Sequence, residues 1–181
     1  MLVKPLIWPK CPGSFDHNGL ALILLDLPAD TSRADARTLA RDVLKKAAFH
    51  LLPDQHIELL ETPHGPRFSP SCLHVSLSYA GDKALIGISS ERTIGVDIVR
   101  IERFPEIEAL SGLYLPEAAT CDADFALAWA KVEACCKALN LPLAEIDETR
   151  IKTYASCILP DCEQIDGYSM AIALRPFNSS R

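Results

Sequence analysis

The chain has 181 residues, 49% of them hydrophobic and 23% charged, which is enough apolar material to bury a core as one domain or two small ones. Its net charge of −6 lies entirely in the second half: residues 1–90 hold nine Lys/Arg against nine Asp/Glu, and residues 91–181 hold nine against fifteen. That balance argues against a nucleic-acid partner, which wants a concentrated basic surface, and the lack of a long uninterrupted apolar run argues against a membrane one.

The first residues, MLVKPLIWPKCPGSF, lack the basic start, apolar stretch and cleavage site of a signal peptide, so a cytoplasmic location is expected. GLALILLDL, from Gly19, is a continuous apolar run ending in a polar turn and predicts a buried strand. DTSRADARTLARDVLKKAAFHLL predicts a helix with Leu39, Val43, Ala47 and Leu51 inward and Arg37, Arg41 and Lys45 on another side. Asp30, Thr31 or Ser32 caps its start and Pro53 stops it. CLHVSLSYA alternates Leu73, Val75, Leu77 and Tyr79 against His74, Ser76 and Ser78, the period of a half-buried strand. Gly81 and Asp82 turn it into KALIGIS, a hairpin partner, and IGVDIV from Ile94 is a further strand with one acid at its centre.

A short acidic helix is expected around Phe104 to Leu110, then a helix from near Asp124 that ends before Pro142. Strands at Ile151 to Leu159 and Tyr168 to Leu174 follow. Strand, helix and paired strands thus occur once in each half. The order predicts an α+β fold of two similar subdomains, 1–90 and 91–181. Seven cysteines with no CxxC, and Cys135 and Cys136 adjacent on a helix, read as unpaired thiols rather than a disulfide framework or a zinc site.

Asp97 sits mid-strand, where a buried carboxylate needs a cation, a metal ion or a proton. Trp129, Glu133 and Lys137 are four residues apart, along one face of the predicted helix, and Ala130, Ala134 and Ala138 are small enough for close approach. If Asp97 and Glu133 face each other, two hard oxygen ligands converge as magnesium on a diphosphate requires, and Lys137 can neutralise phosphate oxygens. Other polar residues have blander readings. His56, His64 and His74 show no ligand spacing, Trp129 reads as core packing, and Arg33, Arg37 and Arg41 read as a solvated helix face.

GVDIVRIERF, from Gly95 to Phe104, resembles the first signature of the 4′-phosphopantetheinyl transferases, G-[VI]-D-[IV]-x-x-I. WAKVEACCKAL, from Trp129, resembles the second, [WF]-x-x-K-E-A-x-x-K-A. LHVSLSYAG is similar to the family's N-x-S-H-[ST] strand end, and HGPRF, from His64 to Phe68, to its G-[KR]-P-x-[LF] loop. RTLARDVLKK is similar to the helix whose last basic residue, here Lys46, holds coenzyme A.

The resemblance implies a monomeric, compact enzyme whose two similar subdomains form a pseudo-dimer with the active site in the cleft between them, and which moves the 4′-phosphopantetheine group of coenzyme A to a serine of an acyl or peptidyl carrier protein. Mg²⁺ would be held by Asp97 and Glu133, with Asp97, Glu133 and Lys137 as the catalytic set. Lys46, Gly65, Pro66, Arg67, Ser78 and Tyr79 would bind coenzyme A.

Some positions depart from the pattern. Val132 stands where the family has a lysine, with Lys131 beside it as a substitute. Val99 stands for a second acid, and Tyr79 for a histidine. These departures motivate a second expectation, a non-catalytic coenzyme A or carrier-protein binder of the same fold. A third is an unrelated metal-dependent phosphohydrolase.

Overall fold

The computed structural model describes residues 2–16, 19–62, 65–115, 118–141 and 156–175. A four-stranded sheet is ordered β2 (Leu6–Ile7), β3 (Leu20–Asp26), β7 (Lys83–Ser89) and β6 (His74–Ala80). β2 runs parallel to β3 and the other pairs are antiparallel. β8 (Ile94–Arg100) pairs antiparallel with β10 (Tyr168–Leu174) along its full length, Asp97 lying opposite Ala171. β4 (Glu58–Thr62) and β5 (Gly65–Ser69) form a hairpin, and β1 (Leu2–Val3) pairs with β9 (Asp161–Cys162). The helices among the described residues are α1 (Arg33–Leu51), α2 (Ile107–Tyr114) and α3 (Asp122–Leu139), so the chain is α+β as expected.

Strand alternation builds the layers. On β3, Ala21, Ile23 and Leu25 join α1 in one core, while Leu20, Leu22 and Leu24 face a second core with Ile94, Val96 and Ile98 of β8 and Met170 and Ile172 of β10. The far face of β8 and β10, with Val99, Ala171 and Ala173, carries α3. The order is helix, sheet, sheet, helix, and it explains why β3 reads as an unbroken apolar run: both of its faces are covered. The middle core draws on residues from both sides of position 90.

Several elements differ from expectation in ways that have physical causes. On α1 the buried stripe is Ala36, Ala40, Val43, Leu44, Ala47 and Ala48, and Leu39 is 39% exposed, a third of a turn off that stripe. Ser32 is the cap, its Oγ accepting the Asp35 N–H. α2 begins at Ile107 rather than Phe104, because Pro105 disfavours helical geometry at the residue before it. α3 starts at Asp122 and ends at Leu139, followed by Asn140, whose φ of 55° is a left-handed cap. The segment around Gly65 to Phe68, expected as a loop, is strand β5. Of the strand expected at Ile151 to Leu159, residues 151–155 lie outside the described residues, and Ile158 makes an isolated bridge to Leu174.

On β6 the expectation reverses. Ser76 and Ser78 are buried, and Val75, Leu77 and Tyr79 only partly so. The serines are buried because they are used. Ser76 Oγ accepts the Val96 N–H at 3.0 Å and Ser78 Oγ donates to Asp97 Oδ1 at 2.5 Å, so small hydroxyls bridge β6 to β8 across the gap between the two sheets.

Candidate functional site

Asp97 projects from β8 on the side facing α3, flanked by Gly95 and Val99 on that same side. Gly95 is what lets the helix arrive. A Cβ there would stand 1.9 Å from Ala134 O and 2.6 Å from Ala138 N, so the helix backbone lies against the bare glycine. The alanines on α3 complete that close approach, since Ala130, Ala134 and Ala138 are all buried at the seam.

With the helix that near, residues far apart in sequence meet. Lys137 Nζ donates to Asp97 Oδ1 at 2.7 Å and to Val96 O at 3.0 Å. Asp97 is 2% exposed and accepts from both Lys137 and Ser78, which answers the requirement that a buried acid have partners. One turn earlier, Glu133 accepts the Trp129 Nε1–H at 2.7 Å. Its carboxyl is held above the usual range, first by burial and then by the Asp97 carboxylate beside it, with Lys137 and Trp129 acting in the opposite direction. Trp129 thus orients a carboxylate besides packing, its ring stacked on Phe125 at 6.2 Å.

Two cavities open on either side of this cluster. The larger, about 770 Å³, is lined by Arg37 and Arg41 of α1, Arg67 of β5, His74 and Tyr79 of β6, and Lys137. Cations dominate it. The smaller, about 590 Å³, is lined by Ser78, Asp97 and Glu133 together with Phe104, Phe125 and Trp129. Tyr79 belongs to both. Its hydroxyl is buried with no hydrogen bond completed among the described residues. Burial pushes the phenol up, while Arg41 and Arg37 pull the other way.

The expected site residues are therefore mostly brought together. Asp97, Glu133, Lys137 and Ser78 form one cluster, and Gly65, Pro66, Arg67 and Tyr79 line the larger cavity. Lys46 is not among them: it lies on the exposed side of α1 and lines neither cavity, its ammonium 5.7 Å from the centre of the Trp8 ring. Lys131 is exposed and lines neither cavity, while Val132 is 3% exposed in the core beneath α3. Conversely Arg37 and Arg41, expected as a solvated face, line the cavity. His64 falls outside the described residues, while His74 lies in the cavity wall, its imidazole pushed down by burial and then by Arg67.

Among the described residues no three His, Cys, Asp or Glu side chains converge on a metal position. The pair of Asp97 and Glu133 nonetheless fits a hard divalent cation. Two crowded carboxylates are a donor set that a cation would relieve. None of the seven cysteines is in a disulfide. Among the described residues no helix is long and apolar enough to cross a membrane. No family model matches this chain, and no curated protein matches it.

Proposed function

We propose that the protein is a magnesium-dependent 4′-phosphopantetheinyl transferase in which the two halves of the chain form a pseudo-dimer and coenzyme A spans the cleft between them. The observation that carries this reading is the convergence of Asp97, Glu133 and Lys137 at the seam between a cationic cavity and an aromatic one. The nucleotide end of coenzyme A carries a phosphate monoester, which suits the arginine-lined side. The pantetheine arm, long and only weakly polar, suits the side lined by Phe104, Phe125 and Trp129.

Transfer consists of attack by a serine hydroxyl of the carrier protein on the phosphorus nearer the pantetheine. A new P–O bond forms, the bond to the bridging oxygen breaks, and 3′,5′-adenosine diphosphate leaves. Asp97 and Glu133 would hold Mg²⁺, which supplies charge neutralisation at the diphosphate when bound. Lys137, held toward the cavity by Asp97 and the Val96 carbonyl, adds a fixed positive charge to the same place. Glu133, directly or through a water, is the group to receive the serine hydrogen. Trp129 fixes that carboxylate's orientation and walls off water. Tyr79 cannot supply the charge of the histidine it replaces, but Arg41 beside it can.

The burial of Val132 favours a second reading, a binder of coenzyme A or of a carrier protein without turnover. Incubation of apo carrier proteins with the protein, coenzyme A and Mg²⁺, followed by intact mass spectrometry, separates the two. Transfer predicts a carrier heavier by one phosphopantetheine. Nucleotide binding with unchanged mass for several acyl and peptidyl carriers supports the binder, and nucleotide cleavage with no protein acceptor supports a phosphohydrolase.

A further inference from the structure

We propose that Glu61 is the carboxylate that a ligand phosphate displaces from Arg41 on entering the cationic cavity, so that Glu61 sets how tightly that phosphate is held and how readily it leaves. The identity of the ligand rests on the transferase reading; the exchange itself rests on the cavity.

Glu61 is the one carboxylate among the described residues lining that cavity, against Arg37, Arg41, Arg67 and Lys137. It reaches Arg41 from β4 side-on, with Nε donating to Oε1 and Nη2 donating to Oε2 at 2.7 Å. Two parallel N–H bonds to two oxygens of one group is the geometry in which a guanidinium also grips phosphate. Glu61 therefore occupies the donors a phosphate would use.

The surroundings favour exchange. Both partners are accessible, the Arg41 side chain at 25% and that of Glu61 at 56%, so an entering ligand meets them without opening a core. Arg37 and Lys45 also act on the Glu61 carboxylate, which lies below the usual range chiefly through Arg41, so this point in the cavity favours negative charge in general. A phosphate monoester brings nearly two charges and three terminal oxygens where the carboxylate has one charge and two oxygens. Once displaced, Glu61 is left at the cavity mouth, where water can solvate it. When the phosphate departs, Glu61 again satisfies Arg41, which keeps release of a phosphorylated product from stranding a guanidinium.

The test is calorimetric titration of the wild type, Glu61→Gln, Arg41→Gln and the double variant with 3′,5′-adenosine diphosphate and with inorganic pyrophosphate, at fixed low salt. Glu61→Gln is expected to bind both anions roughly two- to tenfold more tightly. On the Arg41→Gln background the same change should have no effect. Equal or weaker binding by Glu61→Gln, with circular dichroism unchanged, would make Glu61 a clamp for the hairpin and overturn the proposal, as would failure of either anion to bind any variant. Tighter pyrophosphate binding without phosphopantetheine transfer to any carrier would uphold the role of Glu61 while removing the transferase reading.

Discussion

The Lys137 ammonium lies 2.7 Å from Asp97 Oδ1, joining a helix and a strand forty residues apart. Because Asp97 is buried and Lys137 half-buried, each removes a desolvation penalty from the other. Asp97→Asn and Lys137→Met should each lower unfolding free energy by about 1–3 kcal/mol, since each leaves one charge unmatched. The double variant should lose less than the sum of the two. Urea unfolding of all four proteins measures the coupling, and strict additivity would mean that the pair is not energetically joined.

Glu133 offers a pH-dependent test that needs no ligand. Its carboxyl is held above the usual range, so the folded protein binds this proton more tightly than the unfolded chain does. The stability it contributes is full in acid, below the unfolded pKa, and is lost as pH rises through the folded one. Glu133→Gln should therefore raise the melting temperature by a few degrees near neutrality and leave it almost unchanged at about pH 3.5. A melting temperature that falls at neutral pH would show the charged form to be stabilising.

Gly95 makes the site possible by its lack of a side chain. Gly95→Ala puts a methyl group into the α3 backbone at Ala134 O, and neither element can yield locally. A loss of about 3 kcal/mol or more is expected in denaturant titration, with helix and strand pushed apart. A fully stable alanine variant would mean that α3 seats differently on β8.

Placing a lysine at position 132 should harm the protein. Val132 is 3% exposed and packs in the core under α3, so Val132→Lys buries an unpaired ammonium there. A drop of about 3 kcal/mol or loss of folding is expected, with no gain in transfer. Increased turnover in a well-folded Val132→Lys protein would place that side chain in the cavity instead.

Much of this arrangement was legible in the sequence, for reasons specific to each element. The solitary acid in IGVDIV announced a buried charge needing a partner, and four-residue spacing put Trp129, Glu133 and Lys137 on one helical face. The mates of α1 were less legible. Arg37 and Arg41 show the same spacing as any solvated stripe, and only the β4–β5 hairpin folding over that stripe turns it into a cavity wall. Lys46 stands apart from that wall because five residues past Arg41 is about 140° further round the helix, which carries it to Trp8. Ser76 and Ser78 misled because alternation reports polarity, not burial. Hydroxyls that bridge two strands look like a solvent face.

The most direct measurement is a crystal structure of the protein soaked with coenzyme A and Mn²⁺, read by anomalous scattering. The account predicts a single strong metal peak bonded to one carboxylate oxygen each of Asp97 and Glu133 and to the diphosphate, with the adenosine phosphate end among Arg37, Arg41 and Arg67. A peak elsewhere, or coenzyme A bound without contact to either carboxylate, would contradict it.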